Sequence, residues 1–178
     1  MTAAPPPEGL TLAIHPTHRG FGWVAFEGPF SPYDWGMVFT RRRKNAHCLR
    51  RTEALLGRFL PNTLVLEVFD TRKSTRAHRI SRLCRAMVSL AVDRGVEVAI
   101  YSRGDVRTCF ANVGAGTRQE IAEAVARHID AFRHQLPRKR RSWESEDRRM
   151  AMFAAAALVL THYQRGATRL LEELEGSG

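Results

Sequence analysis

Glu67 stands inside an apolar run, Thr63-Leu64-Val65-Leu66-Glu67-Val68-Phe69-Asp70, where an ionised carboxylate is costly to bury unless a cation or a hydrogen-bond donor meets it. Two other segments could supply that partner. One is the run from Leu10 to Pro16, which carries His15; the other is the acidic stretch Glu144-Ser145-Glu146-Asp147 ahead of a late helix. A strand carboxylate faced by a first strand and a late helix is a layout suited to metal-assisted phosphodiester cleavage. That chemistry places two cations about 4 Å apart, one activating water and one steadying the leaving oxygen. Mg²⁺ takes hard oxygen donors, whereas the nitrogen of His15 suits Mn²⁺ or Zn²⁺ better. The candidate metal and catalytic group is therefore Glu67 as ligand, His15 as ligand or base, and Asp147 as third member, with Glu146 as its alternate. The implied cofactor is a divalent metal, Mg²⁺ or Mn²⁺, with Mn²⁺ favoured by His15.

Each of these residues also has a plain structural reading. Glu67 could be a strand-end carboxylate paired with an arginine, and His15 a strand-end histidine. The acids before the helix match its macrodipole, with Ser142 or Ser145 as cap. His18, three residues after His15, points to the opposite face of an extended strand unless Pro16-Thr17 turns the chain.

A chain of 178 residues fits one domain with a real core, and 44% hydrophobic content fits a globular protein. Its 28 Lys and Arg exceed its 18 Asp and Glu, leaving a net charge of +10. Such an excess suits a polyanionic partner, nucleic acid in the first place, through counterion release from phosphates. The basic residues gather in loops and at helix starts: Arg41, Arg42, Arg43 and Lys44; Arg72, Lys73 and Arg76; Arg103 and Arg107; Arg118; and Arg138, Lys139, Arg140 and Arg141. Trp143 follows the last of these clusters and is the tryptophan best placed to stack on a base. Cys48, Cys84 and Cys109 are odd in number and lack metal-type spacing. No signal-like segment opens the chain, and the longest apolar run, residues 150–160, is too short for a membrane span of about 20 residues. The expectation is a cytoplasmic protein with no membrane partner.

Periodicity predicts strands over residues 10–14, 21–26, 35–39, 63–69 and 96–101. Helices are predicted to follow the 41–44 cluster and to span 75–94, 117–134 and 145–165, with 104–116 irregular or briefly helical. Three strands joined by short turns, then alternating helix and strand, then helices, predict an α/β fold. Its sheet is mixed and five-stranded, antiparallel first and parallel after, with helices on both faces. Residues 1–9 read as a flexible Pro-rich tail, 10–165 as the domain and 166–178 as a short C-terminal extension.

The order of these elements and several local motifs resemble the RuvC branch of the ribonuclease H-like superfamily. The likeness is carried by Leu12-Ala13-Ile14-His15 through Trp23, by Leu66-Glu67-Val68-Phe69, by residues 77–95, by Val106-Arg107 and Val113-Gly114-Ala115-Gly116-Thr117-Arg118, and by the Ala-rich stretch from Ala154 to His162. The resemblance implies a Mg²⁺-dependent endonuclease that cuts branched, Holliday-junction-like DNA in recombination or repair, acting as a homodimer. It implies four acids, of which Glu67 is retained and the first-strand one is replaced by His15. The helix pair falls at about Ala151 and Ala154. Asp147 lies one turn before Ala151, about 6 Å along a helix axis, and would keep the same face. The resemblance also implies that Arg118, with Arg107, steadies the scissile phosphate. The alternative is a catalytically decayed ribonuclease H-like protein kept for nucleic-acid binding or as a scaffold. In an active site that uses His15, cleavage is expected to run faster with Mn²⁺ than with Mg²⁺. His15→Asp should return the preference to Mg²⁺, as read in a junction-cleavage assay with each metal.

Overall fold

The computed structural model describes residues 9–68 and 74–176. Phe69 and Asp70 of the Glu67 run, the basic residues Arg72 and Lys73, and residues 1–8 of the expected tail lie outside the described residues. Strands β1 (Thr11–Thr17), β2 (Gly20–Gly28) and β3 (Ser31–Phe39) form an antiparallel meander. Strands β4 (Thr63–Glu67) and β5 (Glu97–Tyr101) then join in parallel, giving the order β3-β2-β1-β4-β5. This is the expected mixed sheet. The meander strands run longer than their apolar cores predict, because a two-residue turn, His18-Arg19, lets the β1–β2 ladder continue to its end. Of the 28–32 segment, expected as loop, only Pro29-Phe30 is a turn; Gly28 ends β2, and Ser31 and Pro32 open β3 through an irregular register.

Helices cover both faces. On one lie α1 (Lys44–Phe59) and α2 (Thr75–Val92), which bury Cys48, Leu55, Leu56 and Phe59, and Ile80, Leu83, Met87 and Ala91, at helical spacing. They pack on Leu12, Ile14, Leu64 and Leu66. On the other lie α3 (Arg103–Ala111), α4 (Arg118–His128), the short α5 (Asp130–Arg133) and α6 (Arg149–Gly176), over Ala13, Val24, Phe26 and Val65. The central strands β1 and β4 are largely apolar because they are covered on both sides.

Three helix boundaries differ from the expected ones. The 104–116 segment forms α3, started by a capping box in which Ser102 and Asp105 exchange hydrogen bonds. The 117–134 helix breaks at Ile129, which takes an extended conformation. The last helix begins at Arg149 rather than 145, since Asp147 turns back to accept the Arg149 backbone N–H, and it continues past 165 to Gly176.

α6 lies directly on β1 and β2. Gly22 faces the start of this helix, and a Cβ there would overlap the Ala151 backbone. Gly22→Ala is therefore expected to destabilise the fold by about 1–3 kcal/mol, the usual cost of overpacking, as read from urea unfolding. A second expectation concerns Asp105. Bonds from the Ser102 backbone and hydroxyl hold its carboxyl below the usual range. A depressed carboxyl contributes stability above its unfolded pKa of about 3.9, and that stability is lost as pH falls through the folded value. Asp105→Asn should cost about 0.3–1 kcal/mol at neutral pH, and the gap to the wild type should close below about pH 4 in pH-dependent melting.

Candidate functional site

Strand alternation decides which residues meet under α6. Leu12 and Ile14 of β1 point to α1 and α2, while Ala13 points to α6; His15 falls on the α6 side with Ala13. In β4, Val65 and Glu67 share that side. β1 and β4 are neighbours with Ile14 opposite Leu66, so His15 and Glu67 come together. His15 Nδ1 lies 2.9 Å from Glu67 Oε2, and His15 is 8% exposed. An imidazole on the next strand thus supplies the partner that a carboxylate in an apolar run requires.

The pair opens into a cavity of about 160 Å³. Its rim carries Arg103 and Arg107 from α3 and Arg118 from α4. Their positions are set by two capping boxes, Ser102 with Asp105 and Thr117 with Glu120. Arg107 lies one turn after Arg103, so both guanidinium groups leave the same helix face. α6 contributes Ala154 and Ala157 to the cavity, the second again one turn on.

The acids of the 144–147 stretch lie in an adjoining groove that shares Arg103, Arg118 and Met150 with the cavity. Glu146 pairs with Arg118 at 2.9 Å. Asp147 accepts from the Arg149 guanidinium at 2.8 and 3.0 Å, and these side-chain bonds hold its carboxyl below the usual range. Because Asp147 precedes α6, the helical offset that would have aimed it at the Ala151 position does not exist. The structure brings His15 and Glu67 together and leaves Asp147 and Glu146 engaged with arginines next door.

The two-cation chemistry that the resemblance implies needs several carboxylates on one spot, and the described residues here do not supply them. Among the described residues no three His, Cys, Asp or Glu side chains gather in a metal-binding group. Among the described residues the cavity is lined by one carboxylate and one imidazole, faced by three guanidinium groups. Cys84 adds no thiolate, since burial in the first place and the nearby Glu67 carboxylate in the second push its thiol up to about 12. The donor set therefore does not fit a pair of divalent cations.

The other predicted basic residues surround this centre. Arg138, Lys139 and Arg140 line the adjoining groove, where Glu144 accepts from Arg138 at 2.5 Å and from the Arg141 backbone at 3.0 Å. Arg141 stacks at 5.6 Å on Trp143, which is 76% exposed. Lys44 and Arg76 line a separate depression with His18 and Arg79 on the α1–α2 side. His18 Nε2 lies 3.5 Å from Lys44 Nζ, and the cations Lys44, then Arg76 and Arg79 after a desolvation contribution, push its pKa down. His18 thus belongs with cations and not with His15. Arg41, Arg42 and Arg43 are exposed ahead of α1.

Sequence reasoning passed over Arg79, which donates to Asn45 Oδ1 at 2.8 Å and to the Thr17 and His18 carbonyls at 3.1 and 3.2 Å. Its helix position marked only a face away from the core, and the turn it braces is 61 residues distant in sequence.

No family model matches the chain. A curated relative, "Crossover junction endodeoxyribonuclease RuvC" of Pelodictyon phaeoclathratiforme, is 25% identical over 129 residues, covering 67% of this chain and 68% of that protein. Among solved structures, T. thermophilus RuvC in complex with Holliday junction substrate matches with a TM-score of 0.65 at 20% identity, over 90% of this chain and 98% of that one. The yeast mitochondrial Holliday junction resolvase Ydc2 matches with a TM-score of 0.59 at 12% identity, over 99% and 89%. With strand order and helix placement in agreement, the chain is RuvC-like, sharing the fold of these junction resolvases at low sequence identity.

Proposed function

We propose that this protein recognises branched DNA, four-way junctions of the Holliday type first among them. The observation that carries this reading is the ring of Arg103, Arg107 and Arg118 around the His15–Glu67 cavity, continuous with the groove of Arg138, Lys139 and Arg140. Guanidinium groups at helix starts match phosphate geometry, and the relatives named above act on crossover junctions. A homodimer belongs to the same proposal, since a two-fold assembly matches a two-fold junction. Among the described residues no helix is long and apolar enough to cross a membrane, and the cytoplasm is the proposed compartment.

A second reading, a divalent-metal-dependent endonuclease, is favoured by one observation: the strand carboxylate Glu67 opens into the cavity with His15 beside it. The lack of further carboxylates there weighs against it.

Titration against a four-way junction, a duplex and a single strand at two salt concentrations tests the first reading. The junction is expected to bind tightest with steep salt dependence, and Arg107→Gln or Arg118→Gln should each lower the salt slope by about 1. Weak, salt-insensitive binding equal on all three would sink the proposal. The same substrates with Mg²⁺ and Mn²⁺ separate the two readings. Binding without cleavage is expected; cleavage that Glu67→Gln abolishes would install the endonuclease instead.

A further inference from the structure

Cation sites are built from converging anionic oxygens, and the His15–Glu67 cavity converges the opposite charge. Among the described residues Glu67 is its single carboxylate, and it already has the His15 imidazole at 2.9 Å. Arg103, Arg107 and Arg118 line the same space. Where α6 passes the cavity it offers the methyl groups of Ala154 and Ala157, which bring neither donors nor charge. The acids nearest in sequence to this helix start are taken by Arg118 and Arg149. A divalent cation entering here would meet one carboxylate and three fixed positive charges.

We propose that this cavity is a phosphate seat that works without a divalent cation. Arg103 and Arg107 present two guanidinium groups from one face of α3, and Arg118 closes the other side from α4. A tetrahedral phosphate can accept charge-assisted hydrogen bonds from all of them, the strongest class of such contacts for this group. Arg118 exchanges its Glu146 carboxylate for the incoming phosphate. Glu67, held by His15, marks the floor of the seat and bars anions from going deeper toward β1 and β4. The inference rests on the branched-DNA reading only for where the phosphate comes from, a backbone phosphodiester; the charge of the cavity stands apart from it.

His15 reports on the seat directly. Its imidazole resonances in the full chain would be followed by NMR during two titrations, one with MnCl₂ and one with inorganic phosphate at millimolar concentration. Phosphate is expected to shift the His15 signals saturably, while equimolar Mn²⁺ leaves them without selective paramagnetic broadening. Arg107→Gln combined with Arg118→Gln should abolish the phosphate shift, with folding checked by circular dichroism. Glu67→Gln gives a second, opposed readout, because removing a negative charge from the cavity should tighten phosphate severalfold, whereas a cation site would lose its ligand. Selective broadening of His15 by equimolar Mn²⁺ would overturn the proposal. So would the absence of any phosphate response, or a response that the folded double-arginine variant retains. Failure of junction binding with the phosphate shift intact would remove the DNA reading and leave the seat standing.

Discussion

The packing of α6 across the centre of the sheet is the constraint on which the rest of this structure depends. β1 lies between β2 and β4, buried on both faces, and the helix crosses it so closely that Gly22 can carry no side chain. The contact continues through Phe153, Ala155, Ala156 and Val159, all within the core, and is fastened further on where Tyr163 donates to the Thr11 hydroxyl at 3.0 Å. Fixing the helix on the sheet fixes the depth of the cavity, whose α6 wall is apolar, made by Met150, Phe153, Ala154 and Ala157. It also brings α3 and α4, which pack on the same face, within reach of the ends of β1 and β4.

Against that frame the charge arrangement has a simple logic. A buried carboxylate in low dielectric needs a partner, and the neighbouring strand supplies an imidazole. Three arginines then face a site whose own negative charge is already engaged. In an enzyme that gathers cations, the first-strand and helix positions would each add negative charge; here one adds a histidine and the other methyl groups. Among the described residues, the cavity's lining carries more positive than negative charge.

Much of this was legible in the chain. The apolar run of Leu64 to Leu66 and the short turn after β1 announce a mixed sheet and make the first strand a candidate partner for Glu67, while the strand order that sets His15 beside it comes from the fold. The basic loop clusters likewise announce themselves by placement. What the sequence conceals is local competition at helix ends. Asp147 looks like the first turn of a helix, yet its carboxylate finds the Arg149 backbone and guanidinium closer than any distant site, and the helix starts two residues later. Ile129 sits in an unbroken helical stripe and still interrupts it. Arg79 reads as solvated charge, and only the tertiary approach of α1 and the β1–β2 turn gives it its three acceptors.

The Arg118–Glu146 pair has a consequence for selectivity. Glu146 is tethered beside its arginine and so competes for it at an effective concentration far above that of a small solute. A lone orthophosphate or mononucleotide must displace this tethered rival with one charged group. A polymer brings many linked phosphates, and once one engages Arg107 or Arg138, the next arrives at Arg118 as an intramolecular event of its own. In the proposed phosphate seat the internal carboxylate would raise the concentration that a small anion needs to bind while costing an extended strand less.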